Sequence, residues 1–210
     1  MRFLSLAFIG CMLALTACNS TKKPSGANFR KAINQYLAKH GESCTGFGHE
    51  FPVDITESEQ RLQSDTATQM AVLEQAGLVR SSNATAVVHR MLDALHGPTP
   101  PQPVKRYELT AEGQKYFQKT PGIFGQTVSF CYGDKTVDTI VKWTEPVAAG
   151  SYSQTEVTYT YKMADLSPWA QRPDVQREFG DVRATVNGIS KSNEVVDLQL
   201  TNRDWEVPAP

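Results

Sequence analysis

The chain has 210 residues, of which 40% are apolar and 20% charged, and its formal net charge is −1. That balance excludes a disordered tail and a coiled coil, and it lacks the basic excess with which proteins neutralise nucleic-acid phosphates. Lys22-Lys23 is the nearest approach to a cationic cluster in the sequence, and two charges are few for docking on anionic lipid.

Residues 1–17 begin with Arg2, continue as an apolar run from Phe3 to Leu15 and end in small residues before Cys18. A short cationic start, an apolar centre and small residues at the cut form the layout of a signal peptide. The run is also shorter than the ~20 apolar residues of a permanent span. Leu15-Thr16-Ala17-Cys18 resembles the lipobox of bacterial lipoproteins. The resemblance implies that residues 1–17 are removed, that the Cys18 thiol is acylated, and that the chain attaches to a membrane of the bacterial cell envelope, facing the periplasm. Asn19 stands where enterobacterial lipoproteins retained in the inner membrane carry aspartate, so the resemblance implies the outer membrane. Two or three acyl chains hold a protein stably where one does not.

Cleavage leaves 193 residues with net charge near −2, because Arg2 is lost. That length suits one large domain or two small ones, each with its own core. Residues 18–27, with Thr21, Pro24, Ser25 and Gly26, read as a lipidated tether. Cys11 leaves with the signal and Cys18 is blocked by lipid, so Cys44 and Cys131 are the remaining thiols. An oxidising compartment favours a disulfide between them over two buried reduced cysteines. No C-x-x-C occurs, which argues against thiol-disulfide exchange chemistry.

Phe29, Ile33, Tyr36 and Leu37 follow helical spacing, predicting a helix over 28–39 with Asn28 as its cap. Gly41–Gly48 reads as a loop carrying Cys44, and Phe51-Pro52-Val53 as a short extended piece. Asp65 opens a second helix through Met70, Leu73 and Ala76, stopping at Gly77. Leu73-Glu74-Gln75-Ala76-Gly77-Leu78-Val79, and later Tyr107-Glu108-Leu109-Thr110-Ala111-Glu112-Gly113, resemble the winged-helix domains of bacterial regulators. The resemblance covers about 28–118 and implies a helix closed by glycine, a wing hairpin, and a helix opened by Thr110 that carries Tyr116 and Phe117. DNA-binding members present Lys and Arg on the recognition helix. Ser64–Ala76 has none and carries Asp65 and Glu74, while the wing is enlarged over 80–104 and stiffened by prolines. The expectation is a winged-helix-like fold without nucleic-acid binding.

After Pro121-Gly122 the pattern turns to period two. Thr127–Tyr132, Thr136–Thr144 and Thr155–Met163 read as strands, the last with Val157, Tyr159, Tyr161 and Met163 packed on one face and Thr158 and Thr160 facing water. Ser167-Pro168 opens a short helix to Phe179. Val182–Ile189 and Glu194–Thr201 read as late strands, Asn187-Gly188 as a turn signal, and Trp205 as the cover of a sheet edge or domain junction. The expected architecture is α+β, with a winged-helix-like domain at 28–120 followed by a mostly antiparallel β-sheet domain at 121–210 that holds one short helix.

Candidate chemistry is sparse. His40, Cys44, His49 and Glu50 lack the paired spacing of a structural zinc site, so no metal and no cofactor is expected. His89 and His96 read as surface histidines, and Glu50, Glu145 and Asp165 as solvated carboxylates. Nucleophile and phosphate-loop motifs are missing, so no catalytic residue is assigned. Trp143 and Tyr152, near the turn at 145–151, are the candidate partner-binding residues. The expected function is that of an envelope lipoprotein, not an enzyme, which binds another envelope protein. An immunity lipoprotein that captures a toxin is one form of it. The alternative is a hydrolase or small-ligand-binding lipoprotein that uses a cleft between the two domains.

Overall fold

Every strand among the described residues lies in one of two sheets, and all pairings are antiparallel; the computed structural model describes residues 21–88, 100–122, 125–150 and 152–208. The elements run in the order α1 (Gly26–His40), β1 (Glu42–Gly46), β2 (Val53–Thr56), α2 (Glu57–Leu62), α3 (Asp65–Gln75), β3 (Val79–Ala86) and β4 (Gln102–Leu109). Then come α4 (Gly113–Tyr116), β5 (Phe117–Gly122), β6 (Gly125–Trp143), β7 (Val147–Ala149) and β8 (Tyr152–Ala164). A 3-10 turn (Pro168–Gln171), α5 (Pro173–Glu178), α6 (Gly180–Gly188), β9 (Asn193–Leu200) and β10 (Trp205–Glu206) complete the chain.

The small sheet has the order β2-β4-β3, with α2 and α3 between its first two strands in sequence. Thr56 and Glu59 close a reciprocal capping box on α2, a signal present as Thr-x-x-Glu at 56–59 and passed over in the sequence reading. Ser64, not Asp65, caps α3 by accepting the Ala67 N–H. Gly77 takes φ +78, which glycine adopts without Cβ strain, and sends the chain into β3. Thr110 accepts the Gly113 N–H, as expected, but the helix it opens is a single turn and Phe117 already belongs to β5. Gly113 is required by packing: a Cβ there would lie 1.9 Å from the Leu78 carbonyl oxygen.

The large sheet runs β1-β6-β8-β9-β10, with β5 also on β6 and β7 on β8. The loop expected at 41–48 contains β1, because Cys44 and its neighbours find open ladder partners on β6. The two strands expected at 127–132 and 136–144 are one strand, β6, whose halves pair with different neighbours. On β8, Val157, Tyr159 and Tyr161 are buried on one face as expected. Thr158 and Thr160 on the other are also buried, contrary to expectation, because the short side chains of a central strand are shielded by their flanks on β6 and β9. The strand expected at 182–189 is a helix, α6. Val182 is buried and Val186 packs beside it at helical spacing, and that tertiary contact overrides the β-branched composition. The sheet-rich half therefore holds several short helical pieces where one was expected.

Two apolar clusters result. In one, Phe29, Ile33 and Leu37 of α1 pack on Val137, Val157, Tyr159 and Leu198 of the large sheet, with Trp205 edge-on to Phe29 at 5.2 Å. In the other, Ile55, Met70, Leu73, Leu78 and Tyr107 of the small-sheet region meet Phe130, Tyr132, Trp169, Val175 and Phe179. Thus α1 and β1 precede the small sheet in the chain yet join the large one.

Candidate functional site

Cys18, where acylation is expected, lies outside the described residues, and so do His89 and His96. From Thr21 onward the segment expected to be a tether is fastened to the domain. The Thr21 hydroxyl reaches the Arg203 carbonyl at 3.5 Å, the Trp205 indole donates to the Lys22 carbonyl at 3.1 Å, and the Asn28 amide donates to the Lys23 carbonyl at 2.8 Å. Ser25 then caps α1 by accepting the Asn28 N–H, one turn before the cap expected at Asn28. Trp205 supplies both the ring that packs on Phe29 and the N–H that holds the tether, which explains a nearly fully buried tryptophan at a sheet edge.

Cys44 and Cys131 face each other in register across β1 and β6 and form a disulfide, with Cα atoms 3.9 Å apart. It clips two adjacent strands, not a loop to a strand. Phe130 and Tyr132 point into the core, so Cys131 between them points to the opposite face of the sheet.

Trp143 and Tyr152, the candidate recognition residues, are 43% and 44% exposed. Trp143 packs edge-on against Phe29 at 5.4 Å. Tyr152 lines an open cleft of about 530 Å³ with Lys22, Ser153, Gln199, Thr201 and Asn202. The two do not form one patch: Trp143 sits opposite Val157, and five steps along β8, ~17 Å of strand, separate Val157 from Tyr152.

On the strands of the small sheet, three cations are each matched with a carboxylate. Arg106 is bidentate on Asp54, with both contacts at 2.7 Å, Arg80 meets Glu108 at 3.1 Å and Lys105 meets Glu74 at 3.0 Å. Partial burial works to raise the Glu74 pKa, but hydrogen bonds from Ser81 and Lys105 outweigh it and hold that carboxyl below its usual range. On the large sheet, burial first, and then the Glu194 carboxylate that accepts its O–H at 2.8 Å, pushes the Tyr159 phenol well above its ordinary pKa.

The sequence cluster at 40–50 is dispersed. His40 stacks on Tyr36, His49 pairs through Nε2 with the Thr66 hydroxyl, Glu50 pairs with Lys119, and Cys44 is committed to its disulfide. Glu42 stands beside the two sulfurs, which already bond each other. Asp165 follows one end of β8 whereas Glu145 is next to Thr144, which bonds Glu156 near the other; the eight intervening residues span ~27 Å.

The junction between the two sheets holds packed side chains: Phe47 and Phe130 stack at 5.3 Å, Phe51 and Phe117 meet at 5.6 Å, and Trp169 abuts Phe130 and Tyr132. Cavities open along α1 beside Tyr36 and His40 (about 590 Å³), at the Tyr152 cleft, over α2 and α3 beside Lys105 and Tyr107 (about 340 Å³), and, smaller, at the rim of the junction beside Phe47, Glu50 and Val128 (about 280 Å³). Comparison with protein-family models, with curated proteins and with solved structures finds no match to this chain.

Proposed function

We propose that this chain is an acylated bacterial envelope lipoprotein, anchored through Cys18 and facing the periplasm from the outer membrane, that acts as a non-catalytic module binding another envelope protein. The observation that carries the choice of binding over catalysis is the filled junction. The aromatic stack of Phe47, Phe51, Phe117, Phe130 and Trp169 occupies the space where a hydrolase of this architecture would need a cleft with converging polar groups.

Anchorage rests on the lipobox at 15–18. The β2-α2-α3-β3-β4 segment, with its sheet order and the Gly77 and Gly113 turns, supports reading this part as winged-helix-like. The ion pairs on Arg80, Lys105 and Arg106 support a surface devoted to packing and partner contact instead of DNA. An immunity lipoprotein is the form of this reading in which the partner is an incoming toxin. Affinity capture of the acylated chain from detergent-solubilised envelopes, read by mass spectrometry, should return a partner in stoichiometric yield. Turnover of an envelope substrate by the purified chain, without such a partner, would overturn the reading.

A further inference from the structure

We infer that the end of the large sheet formed by the tether, the β7–β8 hairpin and the β9–β10 turn lies against the membrane surface, with Lys22, Lys23 and Arg203 on lipid phosphates and Val147 and Tyr152 in the headgroup zone. This rests on the reading of Cys18 as the acylated residue. Thr21 is three Cα–Cα steps from Cys18, a reach of at most ~11 Å. Because Thr21, Lys22 and Lys23 are already fastened to Arg203, Trp205 and Asn28, the anchor cannot let the domain drift. It holds this one corner within headgroup distance of the bilayer.

The chemistry of the corner fits that neighbour. Arg203, 180 positions from Lys23, is brought beside the Lys22-Lys23 pair by the fold, and among the described residues none of the three has a carboxylate within ion-pair distance, unlike the small-sheet cations. The acids of the same turn are already engaged: Asp204 bonds Lys31 at 3.0 Å, and Glu206 accepts from the Thr201 hydroxyl at 3.3 Å. Val147, 62% exposed, and Tyr152 stand on the hairpin whose register, Ala149 opposite Tyr152, places them on one face. An exposed aliphatic and a phenol with hydroxyl and amide neighbours suit the interface, where amphipathic rings settle at headgroup depth. The cleft beside Tyr152 adds the Ser153 hydroxyl and the Asn202 amide as donors to a phosphate.

Two arms test this on vesicles of phosphatidylethanolamine and phosphatidylglycerol. First, the acylated chain carries Tyr152→Trp or, at the exposed end of α2, Leu62→Trp, in vesicles with brominated acyl chains. The emission added at 152 should be quenched and that at 62 should not. Equal quenching, or none at either site, overturns the proposal. Second, binding of the unacylated Cys18→Ser chain to the same vesicles should weaken about fivefold for each of Lys22→Gln, Lys23→Gln and Arg203→Gln. Arg80→Gln and Arg106→Gln should leave it unchanged. Loss shared equally by the two sets overturns the proposal. Palmitate labelling of the parent separates the causes of failure: label on Cys18 with no quenching at 152 sinks the orientation alone, whereas absence of label sinks the anchored reading with it.

Discussion

The two ends of this molecule handle positive charge in opposite ways. On the small sheet Arg80, Lys105 and Arg106 each meet a carboxylate, one of them bidentate, so these three cations present little net field. At the tether end Lys22, Lys23 and Arg203 gather without such partners among the described residues. Formal net charge, −1 for the whole chain, conceals this asymmetry. Phosphate attraction depends on where unpaired cations lie, not on their total.

The strongest way to break the contrast is to remove the anchor. Cys18→Ser should abolish palmitate incorporation and move the protein from the membrane to the soluble fraction, because no described helix is long and apolar enough to cross a membrane; unchanged labelling would defeat the lipoprotein reading. Next in size is the clip on β1 and β6. Replacing Cys44 and Cys131 together by alanine releases a constraint across 87 residues, worth about 4.6 kcal/mol in the loop-entropy account. Urea unfolding with and without the bond should show that loss.

Phe130→Ala, at the junction, should cost ~3–5 kcal/mol, the usual range for a truncated core aromatic. Phe29→Ala should cost a similar ~3–5 kcal/mol and, in addition, loosen Trp205 and thus the tether. Exchange of the Trp205 indole N–H by NMR distinguishes the two variants: faster in Phe29→Ala and unaltered in Phe130→Ala. The smallest effect sharpens the paired side. Glu74 has its pKa lowered in the fold, so its contribution is present above the unfolded-state pKa and disappears as pH falls through the folded one. With a third of its side chain exposed, Glu74→Gln should cost up to ~1 kcal/mol at neutral pH, and the cost should shrink as pH falls through the folded-state pKa. Urea titrations at neutral and at acidic pH check it.

Local signals were legible wherever one residue has one physical job. Gly77 closes α3 by its positive φ, Thr110 accepts the Gly113 N–H, and Val157, Tyr159 and Tyr161 share a buried face. The disulfide followed from compartment and counting, but not its placement, because β1 exists only through its pairing with a strand some 85 residues on. The helix α6 was read as a strand for the same reason: Val182 and Val186 are helical against a core assembled from distant segments. Of the candidate surface, Trp143 and Tyr152 are legible as aromatics placed near a turn signal. Nothing local announces that Arg203 meets Thr21, or that Trp205 holds Lys22, since both contacts close a loop of about 180 residues.

The most direct test of the account is the mass of the N-terminal peptide of the protein isolated from bacterial envelopes. The account predicts a chain that begins at Cys18 and carries acyl chains on that residue. A chain that retains residues 1–17, or one cut elsewhere with Cys18 unmodified, would contradict it.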